Sequence, residues 1–265
     1  MSVLMCDIRG FSRISEHLAP KQVIEFLIEF LTPMSDILLA RRATLDKYIG
    51  DAILAFWNAP LDDPDHHANA ARAALEMIAK TDELNRTMLG RKGVVWPAEI
   101  DIGIGLNSGL CCVGNMGTKQ HLSYSLIGDT VNVASRLEGL TKLYGVPIIV
   151  GEDLAQHLTG FAEIELDRVR VVGRDEPETL FALLGDETTA IHDGFQRLGA
   201  QHAAMLTAYR ARKWDEAEAA LTAGLAEYDA HGLLRLHDLF AKRVAALRSQ
   251  PPGEGWDGVF QATEK

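Results

Sequence analysis

No run of apolar residues in this chain approaches the length needed to span a bilayer, and no signal-peptide pattern is visible at its start. Cysteine is scarce, with Cys6, Cys111 and Cys112 as the whole complement. An odd count with two adjacent members does not make a disulfide framework and favours a reducing, cytoplasmic setting. Cys111 and Cys112 fall in an expected strand, where neighbours face opposite sides, so they read as core and near-core packing. Basic charge is short as well. Lys and Arg total 26 against 37 Asp and Glu, a net charge of −11, which argues against nucleic acid as a main partner. The 265 residues suffice for one large domain and a smaller appendage.

What the chain does have is periodicity. Across residues 20–42, Val23, Phe26, Leu27, Phe30, Leu31, Met34, Ile37 and Leu38 recur at helical spacing, with Pro33 as a kink point. A hairpin is expected around Gly50-Asp51, then a second helix from 65 to about 89. Adjacent histidines cannot easily face one ion, so Asp65-His66-His67 at that helix start reads as capping rather than as a metal site. Residues 100–106 and 110–113 read as strands joined through Asn107-Ser108-Gly109, and Gly114-Asn115-Met116-Gly117 as a break before another strand. Strands are expected again at 147–150, 162–172 and 179–184. Helices interleaved with strands and a hairpin imply an α/β sandwich.

From about residue 190 three helical stripes follow, separated by turns at Arg212-Lys213 and His231-Gly232. They are Leu198, Met205, Leu206 and Tyr209; Trp214, Ala217, Leu221, Leu225 and Tyr228; and Leu233, Leu236, Phe240, Val244 and Leu247. The pattern resembles a tetratricopeptide-type hairpin, but fewer than three full repeats are present. A helical lid packed on the larger domain is the preferred reading. Residues 251–265 form a Pro/Gly-rich tail in which Trp256 and Phe260 suit a docking strand.

Two aspartates carry the chemistry. Asp7 and Asp51 each close a short apolar run where an extended segment would turn, the first in residues 3–11 and the second in residues 46–57. A carboxylate at the mouth of an apolar strand is costly to bury unless its charge is met, and a divalent cation meets it. For either aspartate alone a turn cap is the simpler reading; the pair suggests a shared Mg²⁺ or Mn²⁺ site for phosphate chemistry. Further on, Gly128 and Asp129 read as a helix start, with the acid suited to the positive N-terminus. Val131, Ala134 and Leu137 make an apolar stripe there, while Asn132 and Arg136, four apart, project together from another face. An amide beside a guanidinium suits a ribose oxygen and a phosphate.

Taken in order, Cys6-Asp7-Ile8-Arg9-Gly10-Phe11, Lys47-Tyr48-Ile49-Gly50-Asp51, Gly103-Ile104-Gly105-Leu106-Asn107-Ser108-Gly109 and the stretch from Gly128 to Glu138 closely resemble the class III nucleotidyl cyclases. The resemblance runs from residue 2 to about 184 and implies a ferredoxin-like (βαββαβ) core in residues 1–186, with an α-helical extension in 187–250 and the tail in 251–265. It also implies that Asp7 and Asp51, helped by the Ile8 carbonyl, bind two divalent ions. Asn132 would orient the ribose and Arg136 would neutralise charge on the phosphoryl oxygens, both acting on the partner subunit's site. The expected activity is conversion of ATP to 3′,5′-cyclic AMP and pyrophosphate by a homodimer in signal transduction. The metal ions supply the positive charge that an acidic chain needs to take ATP. Within the class, residues 47–60 look like those of bacterial receptor cyclases with a sensor and membrane segments upstream. Met1 falls almost on the first strand, an abrupt start that suggests such a region has been trimmed away.

Lys47 and Ser125 fall on the family's two purine-reading positions. A lysine only donates, which suits the bare N1 of adenine, and guanylate cyclases of the class place glutamate there. The companion position is most often aspartate in adenylate cyclases. Ser125 places the chain in a Thr/Ser branch, some of whose members respond to bicarbonate, and a neutral acceptor implies looser discrimination. Two further departures thin the phosphate clamp and imply weak resting affinity for nucleotide. Gly103 stands where many relatives carry a basic residue, and Val172 where they carry a phosphate-binding lysine, with Arg174 two positions on as a substitute. Two other readings compete: a degenerate cyclase-homology module that regulates by dimerising, and an interaction module built on the helical tail. A diguanylate cyclase would show a Gly-Gly-Asp/Glu-Glu-Phe turn where this chain has Ile49-Gly50-Asp51-Ala52.

Overall fold

The computed structural model describes residues 1–170, 176–253 and 255–261. The first half runs β1 (Ser2–Ile8), α1 (Phe11–Ser15), α2 (Pro20–Ala40), β2 (Thr44–Ile49), β3 (Ala52–Trp57), α3 (His66–Met88) and β4 (Ile102–Ser108). A hairpin of β5 (Cys112–Thr118) and β6 (His121–Ile127) leads to α4 (Asp129–Tyr144), β7 (Ile148–Gly151), α5 (Glu152–Ala155), β8 (Ala162–Arg170) and β9 (Glu178–Gly185). Then come α6 (Glu187–Ala190), α7 (Asp193–Arg210), α8 (Trp214–Ala230), α9 (Leu234–Ser249) and the short β10 (Phe260–Gln261). The main sheet has the order β10-β8-β9-β7-β4-β1-β3-β2. Its β4-β1-β3-β2 portion, with α2 joining β1 to β2 and α3 joining β3 to β4, is the ferredoxin-like core.

Alternation along β1 divides the interior. Leu4, Cys6 and Ile8 enter the cluster shared with Phe26, Phe30 and Met34 of α2 and Ala70, Ala74 and Met77 of α3. Val3 faces the other way, onto Leu54, Phe56, Leu126 and Ala134. That second face is where α4 lies, and it lies unusually close. A side chain at Gly105 would collide with the backbone of Ala134 and Glu138, and one at Gly103 would meet Thr141 and Glu138. As this chain packs, a side chain at Gly103 requires the Glu138 and Thr141 side chains to move aside.

The C-terminal helices are not a separate bundle. Leu198, Met205, Tyr209, Ala217, Leu221, Tyr228, Leu236, Phe240 and Val244 share one buried cluster with Val133, Leu137 and Tyr144 of α4 and with Ile149, Ile164 and Leu180 of the sheet. The tail docks as well: Phe260 pairs with Val169 in a parallel edge contact, and Trp256 meets Tyr209 and Trp214.

Three local expectations need correction. Gly114-Asn115-Met116-Gly117 is no break but the body of β5, paired residue for residue with Ser125-Tyr124-Ser123-Leu122. Cys112, at the start of that strand, is exposed rather than near-core. Asp65 occupies the N-cap position of α3 but its side chain makes no cap hydrogen bond. The histidines do something else: His66 Nδ1 is 2.7 Å from Ser2 Oγ, His67 Nε2 is 3.0 Å from Ser108 Oγ, and the His67 ring stacks on His157 at 4.1 Å. They tie α3 to one end of the β1–β4 pair, where Ser2 and Ser108 lie opposite each other.

Candidate active site

Asp7 and Asp51 meet although they are far apart in sequence: Ile8, the residue after Asp7, bonds Asp51 across a separation of 43 residues. Asp7 comes from the end of β1, and Asp51 from the tight turn between β2 and β3, where Gly50 takes a φ of 66°. The Ile8 N–H donates to Asp7 Oδ1 at 3.0 Å and to Asp51 Oδ2 at 3.2 Å. Burial, then a hydrogen bond with Asp7 and repulsion from its charge, push the Asp51 carboxyl up to about 7. Two acids this close cannot both be charged comfortably without a cation. Hard oxygen donors of this kind fit Mg²⁺ or Mn²⁺. Among the described residues no three His, Cys, Asp or Glu side chains gather in a way that would hold a metal; Asp7 and Asp51 are a pair.

Glu138 was not expected from the sequence, although it closes the motif that begins at Gly128. It sits on the sheet-facing side of α4, and burial followed by the charge of Asp7 raises it to about 7, against the opposing pull of Lys142 and Arg9. Arg9 spans the neighbouring strands and loop, donating through Nη2 to Val146 O at 2.7 Å and through Nε to Ile102 O at 3.4 Å.

Lys47 of β2 and Ser125 of β6 also come together: Lys47 Nζ donates to Ser125 Oγ at 3.3 Å. Asp46, missed in the sequence, completes the group by accepting from Ser125 Oγ at 2.8 Å on Oδ2. The signal available was an acid directly before Lys47.

Asn132 and Arg136 are both exposed on α4, while Val133, Ala134 and Leu137 beside them are buried. Among the described residues neither one hydrogen-bonds to Asp7, Asp51, Lys47 or Ser125 of its own chain. Arg174 and Val172 lie outside the described residues. The chain therefore presents an acid pair, a Lys47–Ser125–Asp46 cluster and a separate, exposed Asn132/Arg136 pair.

Comparison with known proteins identifies the family. The profile of the adenylate and guanylate cyclase catalytic domain matches residues 1–184. An adenylate cyclase of Anabaena cylindrica is 35% identical over 185 residues, covering 68% of this chain and 36% of its own length. The chain thus spans little more than a third of that relative. Among solved structures, the adenylyl cyclase CyaB from P. aeruginosa superposes with a TM-score of 0.62 at 26% identity, over 70% of this chain and 93% of the other. The guanylyl cyclase Cya2 does so at 0.59 and 28%, over 70% and 91%. Among the described residues no helix is long and apolar enough to cross a membrane. With its ferredoxin-like core, its paired acids and the match over residues 1–184, the chain belongs to the adenylate and guanylate cyclase catalytic domain family.

Proposed function

We propose that the chain is an adenylate cyclase whose two sites are each completed across a homodimer. The convergence of Asp7 and Asp51 on one backbone N–H carries the reading, because it concentrates negative charge that a divalent cation would balance. Bound between those acids and the Ile8 carbonyl, two divalent ions would lower the pKa of the ribose 3′-hydroxyl and hold the triphosphate. The reaction forms a bond from the 3′-oxygen to the α-phosphorus and breaks the bond to the bridging oxygen, so pyrophosphate departs and the hydroxyl proton is released.

The chain's own residues divide the remaining work. Lys47 donates to adenine N1 and Ser125 accepts from its amino group, which favours ATP over GTP. Asn132 positions the ribose, and Arg136 meets charge that builds on the phosphoryl oxygens in the transition state. Their exposure on α4, apart from the acid pair of their own chain, supports service to the partner's site. Arg174 remains the candidate for a phosphate contact. Residues 1–186 would form the catalytic unit, with 187–250 as a helical layer and 251–265 as its tail. The free cysteines fit a reducing cytoplasm, and a sensor upstream would supply the signal.

The test is turnover of ATP and of GTP with Mn²⁺ and with Mg²⁺ across a dilution series. ATP should be preferred and the rate per chain should fall on dilution. Equal rates for the two nucleotides, or a rate per chain independent of concentration, contradict the reading.

A further inference from the structure

Strand β2 carries an irregularity beside the base-reading residues. Leu45 pairs with Ala55 and Lys47 with Leu54, which leaves Asp46 as an extra residue on one side of the ladder. Bulges of this kind re-aim side chains that a regular strand would send to opposite faces. Here two successive side chains reach the same atom: Asp46 Oδ2 and Lys47 Nζ lie 2.8 Å and 3.3 Å from Ser125 Oγ. The Asp46 side chain is 1% exposed, against 49% for Lys47. Its second oxygen, Oδ1, is buried without a hydrogen-bond partner, 3.6 Å from Lys47 Nζ. A carboxylate oxygen buried this way is costly unless its charge is met, and Lys47 Nζ is the cation beside it.

A serine hydroxyl has one proton to give and two lone pairs. At Ser125 the proton is committed to Asp46 and one lone pair faces Lys47. What remains toward a ligand is an acceptor. Adenine offers an amino hydrogen next to its bare N1, whereas guanine offers a carbonyl oxygen next to a protonated N1. A hydroxyl free to rotate would serve either base. One whose proton is held cannot donate to the guanine oxygen, and the unpartnered Oδ1 makes the spot richer still in acceptors.

We propose that Asp46 is a specificity-determining residue: it holds the Ser125 proton, fixes that hydroxyl as an acceptor, and so directs the site to adenine. Asp46 and Ser125 together then do what a single carboxylate at position 125 would do. This rests on Lys47 and Ser125 being the base-reading pair, and the experiment separates the two claims.

Steady-state kcat/KM for ATP and for GTP is measured with Mn²⁺ on the full chain and on Asp46→Asn, Ser125→Ala, Lys47→Glu and Asp46→Asn/Ser125→Asp. In Asp46→Asn the introduced amide donates to Ser125 and frees its proton, so the ATP:GTP ratio should fall about tenfold or more, with GTP gaining in absolute terms. The double variant, which places a carboxylate at the position itself, should restore the ratio. An altered ratio in Lys47→Glu with an unchanged one in Asp46→Asn overturns the proposal and leaves the base reading standing. An unchanged ratio in Lys47→Glu removes both. Equal losses for the two nucleotides in Asp46→Asn mark a merely structural role and also overturn it. If Asp46→Asn does not fold, Ser125→Ala decides: its ratio should fall too, and an unchanged ratio there sinks the proposal.

Discussion

Arg243 of α9 and Tyr144 of α4 donate to the same oxygen, Oδ2 of Asp167 on β8, at 2.6 Å and 2.8 Å. Asp167 is 1% exposed as a side chain, and the Arg243 guanidinium is flanked by the rings of Phe260, Phe240 and Tyr144. The helical layer is thereby anchored to the end of the helix that carries Asn132 and Arg136. Replacing Arg243 with methionine leaves a buried charge facing only two neutral donors, the Tyr144 hydroxyl and the Arg168 N–H. The expected cost is about 3–5 kcal/mol in urea unfolding, with part of it recovered by adding Asp167→Asn. A loss under 1 kcal/mol, roughly the worth of a surface pair, would show that the helices are held by apolar packing alone.

The acid pair predicts a pH dependence of stability with a definite sign. Asp51 is raised to about 7 in the folded chain, chiefly by burial and then by Asp7. A carboxyl with a raised folded pKa stabilises the fold fully at low pH and loses that contribution as pH rises through about 7. Glu138, also near 7, acts in the same sense. Without divalent ions this contribution should therefore decline from pH 5 toward pH 8. Mn²⁺ should restore it, and the Mn²⁺-induced rise in Tm should be larger at pH 8 than at pH 5. In Asp51→Asn that metal-dependent rise should disappear. A rise in Asp51→Asn equal to that of the unmodified chain would place the ions elsewhere.

His67 predicts the opposite trend on the acid side. Burial, and then the neighbouring His66 and His157, lower it to about 4. A histidine held neutral in the fold costs stability as pH falls from its ordinary value toward that point. Substituting His67→Gln should flatten the acid limb of a Tm-versus-pH curve between about pH 6.5 and 4. An unchanged limb would show that the stack tolerates protonation.

Removing either acid should also remove turnover. Asp7→Asn and Asp51→Asn should each lower kcat/KM by at least about 100-fold, the scale on which electrostatic stabilisers act. Circular dichroism should remain that of the unmodified chain. Retention of a tenth or more of the activity in both variants would contradict the metal role.

Much of this site was legible because it depends on short-range patterns. Asp7 after an apolar run, Asp51 in a glycine turn, and the Asn132/Arg136 spacing each state their own placement on a strand end or helix face. The rest depends on pairing between distant segments. Period-2 alternation carries no sign of an extra residue, so the bulge at Asp46 shows only once β2 is laid against β3. Glycines at 114 and 117 suggested a break, yet cross-strand pairing with β6 overrides that weak local preference. Asp65 looked like a cap, but Asp63 accepts from Asp65 N and Asn69 Nδ2 while the histidines find serines on β1 and β4.

The shared-site claim is tested most directly by mixing two inactive chains, Asp51→Asn and Arg136→Ala. A mixed dimer would hold one site with both defects and one with neither. Random pairing in equal amounts should then restore about a quarter of the unmodified rate per chain. A mixture as inactive as its components, with exchange of subunits verified, would contradict a site built from two protomers.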